Sequence, residues 1–363
     1  SALITGIGDV DSADIAAQIF TISRIVKGSV ELTAEFDGDL DGLLDRVASS
    51  GSDDAAAFTA AVDAFMYKHG ARGPNEWDIY QRSYETKPLM LLQAVERARH
   101  ADDGQDPVSM IERGAAERRR LIEKYTEQFA DHPEALGGFQ VAVNSAQVWM
   151  AARERIKSSN IRCHHEVRLC FDELGRRAHE RGHLRDARHV YMLVADEIEQ
   201  FMADAGSLAD ALAERQDDYE ALYDLVPPYS IDGTVPPLSE WERRGGDTAE
   251  QVAAGDVLSG VAGSPGTHTG RARVLLDLSD PSVLEPDDIM IAPSTDPSWT
   301  PLFLVAGAVI TDIGAVGTHA VIVSRELGIP CVPSVADATK RIPDGATITV
   351  DGSAGTVTID ALP

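Results

Sequence analysis

Residues 311–330 read TDIGAVGTHAVIVSRELGIP. The β-branched run AVITD (308–312) leading into this stretch has the makings of a buried strand, and AVIVSREL (320–327) carries apolar residues at helical spacing. Between them a loop containing Gly314 and Gly317 delivers Thr318 and His319 to the start of the helix. The first backbone N–H groups of a helix lack internal partners and its dipole is positive at that end, so a group placed there can hold an anion. The same field disfavours an imidazolium, so His319 is expected to be neutral, with one ring nitrogen free to attack an electrophile. If the electrophile is a phosphoryl group, the product is an anionic phosphohistidine that the helix N-terminus stabilises. Gly317 and Gly314 leave room for a phosphate to approach closely. A histidine that merely caps its helix is the alternative reading of the same residues.

Working outward, short β-branched runs alternate with glycines from about Val261 onward: TGRARVLLD, DIMIAP, AVITD, IPCVPSV, ATITVD and GTVTI. They describe a compact mixed domain of about a hundred residues. Upstream, VPPYSIDGTVPPLSEWERRGGDTAEQ (226–251) holds two Pro-Pro pairs and a Gly-Gly, the mark of a semi-rigid extended linker over 227–260. Before it, IAAQIFTISRIV, DAAAFTAAVDAFMYK, MIERGAAERRRLIEKYTEQF and DDYEALYDLV are amphipathic helices. The expected architecture is multidomain α and α/β, with a mainly helical domain over 1–226 and the mixed domain over 261–363.

The chain has 363 residues, and 32 Lys+Arg against 59 Asp+Glu give a formal net charge of −27. Such a charge disfavours nucleic acid and anionic membrane surfaces as partners. Cys163, Cys170 and Cys331 are an odd number without a CxxC pair, which fits a reducing compartment. No apolar stretch approaches the roughly 20 residues that span a bilayer, and the acidic start lacks the basic region of a signal peptide. A cytoplasmic location is expected.

GSPGTHTGRARVL (263–275), TDPSWTPLF (295–303) and TDIGAVGTHAVIVSRELGIPCV (311–332) resemble, in this order, the swivelling phosphohistidine domain of the phosphoenolpyruvate-utilising enzymes. That family includes phosphoenolpyruvate synthase, pyruvate phosphate dikinase, rifampicin phosphotransferase and phenylphosphate synthase. The resemblance implies a β/β/α swivelling fold and places His319 on the phosphorylated histidine. Departures are Gly314-Ala315 where Gly-Gly is usual, Thr318 where Ser is commoner, and Asp287 where Gly is frequent.

KHGARGPNEWDIYQRSYETKP (68–88) is dense in polar and turn residues and resembles the glycine-arginine turn and acidic-aromatic cluster of rifampicin phosphotransferase and phenylphosphate synthase. RERIK (153–157), ELGRRAHERGHL (173–184) and YMLVADEIEQF (191–201) follow the order of the same central domain. Chemically, Arg72 can neutralise a transferring phosphoryl group and Thr318 and Gly317 can help to hold it, while His69, Glu76 or Asp78 can take a proton from an acceptor hydroxyl. Arg153, Arg155 and Lys157 add positive charge or form an ordinary solvated face. Trp77, Tyr80 and Tyr84 line an aromatic pocket or pack in a core. Trp299 is expected to seat its loop, and His268 to be structural. Of the histidines and cysteines over 163–183, only His179 and His183 share a helical metal-binding face, and no HExxH accompanies them, so no metal site is expected.

No GxxxxGK[ST] loop occurs. The resemblance implies an ATP-grasp module that phosphorylates the histidine using ATP and Mg²⁺, and the expected arrangement puts it on a separate partner subunit, as in phenylphosphate synthase. ATP would end as AMP and phosphate. The expected acceptor is a small hydroxyl compound, phenol or a cresol, giving an aryl phosphate. Two alternatives stand beside this: a fragment of an antibiotic (rifamycin-like) phosphotransferase, and a non-catalytic binding module switched by phosphorylation of His319.

Overall fold

The computed structural model describes residues 2–7, 11–101, 104, 106–228, 230–244, 250–276 and 284–363. The Gly-Gly pair and Tyr229 of the linker lie outside them. The helices are α1 (Asp11–Gly28), α2 (Val30–Phe36), α3 (Leu43–Ser50), α4 (Asp53–His69), α5 (Leu89–Arg99), α6 (Pro107–Gln128), α7 (Pro133–Glu180), α8 (Ile198–Ala203), α9 (Ala209–Ala221), α10 (Thr300–Phe303), α11 (His319–Glu326) and α12 (Ala338–Arg341). The strands are β1 (Leu225–Val226), β2 (Glu242–Arg243), β3 (Val257–Ser259), β4 (Thr267–Val274), β5 (Ile289–Ala292), β6 (Ala308–Thr311), β7 (Cys331–Pro333), β8 (Thr347–Asp351) and β9 (Thr356–Ala361). The fold is thus helical in its N-terminal part and mixed α/β in its C-terminal part, as the sequence implies. No described helix is long and apolar enough to cross a membrane.

The chain divides into two compact units. The first gathers residues 1–76, 81–162 and 249–363, so helices from before the linker and the sheet from after it belong together. Its seven-stranded sheet runs β3-β9-β8-β4-β5-β6-β7. Pairing is antiparallel from β3 to β4 and parallel from β4 to β7, with β4 as the pivot. The sheet takes in Val257–Ser259, and Val252 is buried against it, both ahead of the start expected at residue 261. A three-residue strand after a glycine has too little alternation to be read in advance.

Because parallel strands need crossovers, α10 and α11 lie between β5, β6 and β7 and cover one face. Met290, Ala292, Val309 and Cys331 face a core shared with α1, α4 and α5, in which Trp299 and Phe303 are also buried. Ile289, Ile291, Ala308 and Ile310 face the other core, with Val335, Ile348 and Ile359. Burial on both faces is why DIMIA and AVIT are continuous apolar runs rather than alternating ones.

The second unit holds residues 77–80 and 163–248, with a core of Ala178, Leu184, Val190, Phe201, Leu208 and Leu212. Part of the expected linker is structured here: Leu225-Val226 pairs antiparallel with Glu242-Arg243.

Candidate active site

The loop after β6 and the N-terminus of α11 place His319 at the C-terminal end of the parallel strands, where α/β sheets hold their ligands. Thr318 is the N-cap in extended conformation, but its hydroxyl turns back to donate to the Ala315 carbonyl at 2.8 Å instead of capping the helix. The first-turn N–H groups of α11 therefore have no side-chain cap. Gly314 is needed for packing: a Cβ there would lie 2.8 Å from Pro333 Cβ and 3.2 Å from the Thr311 and Thr318 hydroxyls. At Gly317 a Cβ would meet nothing within 4 Å. Gly314→Ala should cost about 1–3 kcal/mol, read as a lowered unfolding temperature, whereas Gly317→Ala should leave it nearly unchanged. Equal effects would show that the loop geometry differs from this one.

The departures from the family pattern have structural outcomes. Asp287, standing where glycine is frequent, adopts φ +68°, the left-handed region. Ala315 is not among the positive-φ residues, so its Cβ adds no backbone strain to the loop.

Two hydroxyls from TDPSWTPLF hold the His319 ring: Thr295 Oγ1 is 2.9 Å from Nδ1 and Thr300 Oγ1 3.3 Å from Nε2. Asp296 caps this segment by accepting from Ser298 N at 2.8 Å, and Phe303 meets the imidazole edge-on at 5.8 Å. Sequence reading gave these threonines no role; their signal was only membership of a motif. Burial pulls the His319 pKa well below its ordinary 6.5, and the fields of Lys157, Arg72 and Arg153 depress it further. The ring is therefore neutral at pH 7. The unfolded chain binds a proton at His319 below about pH 6.5 while the folded chain does not, so stability falls as pH drops through that range. Urea midpoints between pH 5 and 8 should show a shallower acid slope for His319→Asn than for wild type; equal slopes would place the imidazole in water.

The cationic group is built from the 70–76 turn and α7. Backbone bonds Tyr84 N to Arg72 O and Glu85 N to Gly70 O, both 2.9 Å, close the turn. Arg72 and Glu76 are each 2% exposed. Arg72 Nε donates to Glu76 Oε2 at 2.5 Å, Nη2 to Oε1 at 3.3 Å, and Nη1 to Ser158 Oγ at 3.1 Å. Lys157 Nζ lies 2.8 Å from Glu76 Oε1. Arg153 pairs with the buried Glu154 and donates to the Gly317 carbonyl at 3.2 Å, directly beside the histidine loop. Asn75, at φ 41°, donates its N–H to Asp296 at 2.9 Å, tying the turn to the segment that carries the two threonines.

The structure thus brings His319, Thr318, Gly317, Arg72, Glu76, Arg153 and Lys157 together in one unit. His69 is otherwise engaged. Its Nε2 is 2.6 Å from Asp14, which also pairs with Lys68 at 2.9 Å. Burial pushes the Asp14 carboxyl up, yet its bonds to His69 and Lys68 outweigh this and hold it at about 2. Trp77, Asp78 and Tyr80 belong to the second unit. Trp77 is 51% exposed and meets His164 edge-on. Asp78 accepts from Tyr219 OH and from Tyr80 N. Tyr80 donates to Glu220 at 2.9 Å, and the Arg188 guanidinium lies 4.0 Å from its ring centroid. His268 bonds the Asp287 carbonyl at 2.8 Å, as a structural histidine does. Among the described residues no group of three or more His, Cys, Asp or Glu is placed to hold a metal ion.

Comparison with known proteins gives matches over two segments. Residues 1–154 match the rifampicin phosphotransferase fourth domain, and residues 284–355 match the mobile domain of PEP-utilising enzymes. Over both segments the chain is similar to the PEP-utilising enzymes. Relatives include the uncharacterised phosphotransferase YvkC of Bacillus subtilis (strain 168), 27% identical over 85% of this chain and 37% of the relative. The prodigiosin synthesizing transferase PigC of Serratia marcescens is 29% identical over 95% of this chain and 38% of its own length. A rifampicin phosphotransferase of Streptomyces sviceus is 28% identical over 82% of this chain and 34% of its own length. The chain spans about a third of the length of these curated relatives. In this family setting the matched mobile domain includes His319.

Proposed function

We propose that this chain carries the phosphohistidine and acceptor parts of a phosphotransferase. The observation that carries the reading is a neutral His319 at an uncapped helix start, within the fields of Arg72, Arg153 and Lys157. A phosphoryl group needs a nucleophile to receive it and fixed positive charge to stabilise it in transfer, and these residues supply both.

In the first step an imidazole nitrogen of His319 attacks the donor's phosphoryl phosphorus. The N–P bond forms to the β-phosphorus, its bond to the AMP oxygen breaks, water then cleaves the γ-phosphate as inorganic phosphate, and the other ring nitrogen keeps its proton against a threonine hydroxyl. In the second, the oxygen of an acceptor hydroxyl attacks the phosphorus, the N–P bond breaks, and neutral imidazole is regenerated. Glu76 is the carboxylate of the cluster and the group we assign to receive the hydroxyl proton. Arg72 and Lys157 hold the phosphoryl oxygens. The proposed donor is ATP with Mg²⁺, both held by an ATP-grasp module on a partner subunit. Relatives about three times as long as the matched span leave room for such a module elsewhere in the same protein.

The proposed acceptor is a phenolic hydroxyl. A rifamycin-type hydroxyl is the second reading, favoured by the match of residues 1–154 to a rifampicin phosphotransferase domain. The test is discharge of label from the phosphorylated chain, prepared with its ATP-grasp module and ATP labelled at the β-phosphate, by phenol, cresol or rifampicin in parallel. Label moving to one of them assigns the acceptor class. Label on His319 that no hydroxyl compound discharges would overturn the transfer reading in favour of a phosphorylation-switched binding module.

A further inference from the structure

The helix that begins with His319 ends with Glu326, a carboxylate only 3% exposed and unused by the proposed chemistry. Its Oε1 accepts the Gly6 N–H at 3.1 Å and the Ile7 backbone N–H also favours its charged form, while Oε2 is buried with no partner in hydrogen-bond geometry. The segment it holds is closely fitted. Arg118 of α6 donates to the Thr5 carbonyl at 2.6 Å. Gly6, at φ +58°, passes so near α6 that a Cβ would lie 2.3 Å from Ala115 N, and a Cβ on Gly114 would lie 2.8 Å from Thr5 Cγ2. Beside it, Ile322 of α11 packs with Ala13 of α1, Ile111 of α6 and Met150 of α7. Residues 2–6, α6 and α11 are thus joined at one place, and the joint contains a buried carboxyl with one oxygen unmatched.

We propose that Glu326 is a proton-operated latch: protonated, it ties α11 to the Ala2–Gly6 segment and α6, and ionised, it releases them. An ionised carboxylate with an unsolvated oxygen is costly in an apolar setting, while a neutral carboxyl is not. The charged groups around it are Arg325 on α11 itself and Arg118 on α6, with Arg119 next to the latter. Arg325 is drawn toward the histidine loop, donating to the Val316 carbonyl at 2.9 Å. The faces that α1 and α7 turn toward Ile322 are Ala13 and Met150, which carry no charge. Burial outweighs these cations and the backbone donors, raising the Glu326 carboxyl from its usual 4.5 to about 7. Between those values the joined state binds more protons than the released state, so the joint weakens as pH rises and is weakest above about 7. One helix then links the latch to the loop of His319: its eight residues span about 10 Å.

The latch is independent of phosphoryl transfer, and its test needs no activity. Hydrogen-exchange protection factors for the Gly6 amide, measured on the full chain from pH 5.5 to 8.5, should fall roughly tenfold or more in wild type as pH rises from 5.5 to 7 and then level off. In Glu326→Gln, which imitates the protonated carboxyl, protection should stay at its low-pH level throughout. A core amide such as that of Ile310 serves as the control for global stability. The same pH dependence in wild type and Glu326→Gln, or a flat profile in wild type, would overturn the latch. If Glu326→Gln fails to fold, wild type still decides by whether Gly6 protection falls relative to Ile310.

Discussion

Replacing His319 with asparagine should abolish acid-labile, alkali-stable phosphate on the chain, and transfer to any hydroxyl acceptor should fall with it by about 10⁴-fold or more. Asparagine keeps a polar side chain at the first position of α11 and can bond Thr295 or Thr300, so the fold is preserved while the nucleophile is lost. The neutral ring sharpens the expectation. With its pKa held well below 6.5 by burial and by Lys157, Arg72 and Arg153, His319 should accept phosphate at a rate that does not decline as pH falls from 8 to 6.5. A free imidazole would already be half protonated at the lower end. Pre-steady-state labelling of wild type across this range, with circular dichroism confirming that the variant folds, checks both halves. Equal labelling of His319→Asn would move the phosphorylated residue elsewhere.

What the sequence made legible was local. AVITD, the glycine loop and AVIVSREL announced a strand, a turn and a helix because each depends on residues adjacent in the chain, and the structure has β6, the loop and α11 there. The pairing of Arg72 with Glu76 was half legible, since four residues separate them in a turn-rich segment. Its third member, Lys157, was named from the separate segment RERIK, and nothing in either segment said that they meet. Thr295 and Thr300 stayed unread for the same reason: their partner is a ring brought to them by the crossover through α11. The converse also occurred. Trp77, Asp78 and Tyr80 follow Glu76 directly in sequence, yet they belong to the second unit, where Arg168 donates to the carbonyls of Asp78 and Ile79. His69 had the chemistry of an acid or base, but an aspartate on α1 fixes its ring, and no local pattern foretold that contact.

Arg72→Ala should slow transfer to the acceptor by about 10²–10³, the loss expected when one preorganised charge is withdrawn from a site that stabilises a transferring group. It should also destabilise the fold by about 3–5 kcal/mol, because Glu76, equally buried, loses the guanidinium that meets both its oxygens. These two effects can be separated. Arg72→Met with Glu76→Leu removes both buried charges and should recover most of the stability, since replacing a buried ion pair by apolar groups is often neutral. Transfer should remain as slow as in Arg72→Ala or slower. Arg72→Lys retains the charge without the planar fork that meets both Glu76 oxygens, so it should fall between wild type and Arg72→Ala in rate. Urea unfolding measures the stability, and single-turnover discharge of phosphorylated His319 measures the transfer. If the double replacement restores transfer along with stability, Arg72 is a packing element, Glu76 is not the proton acceptor, and the positive charge that matters must come from Lys157 and Arg153 alone.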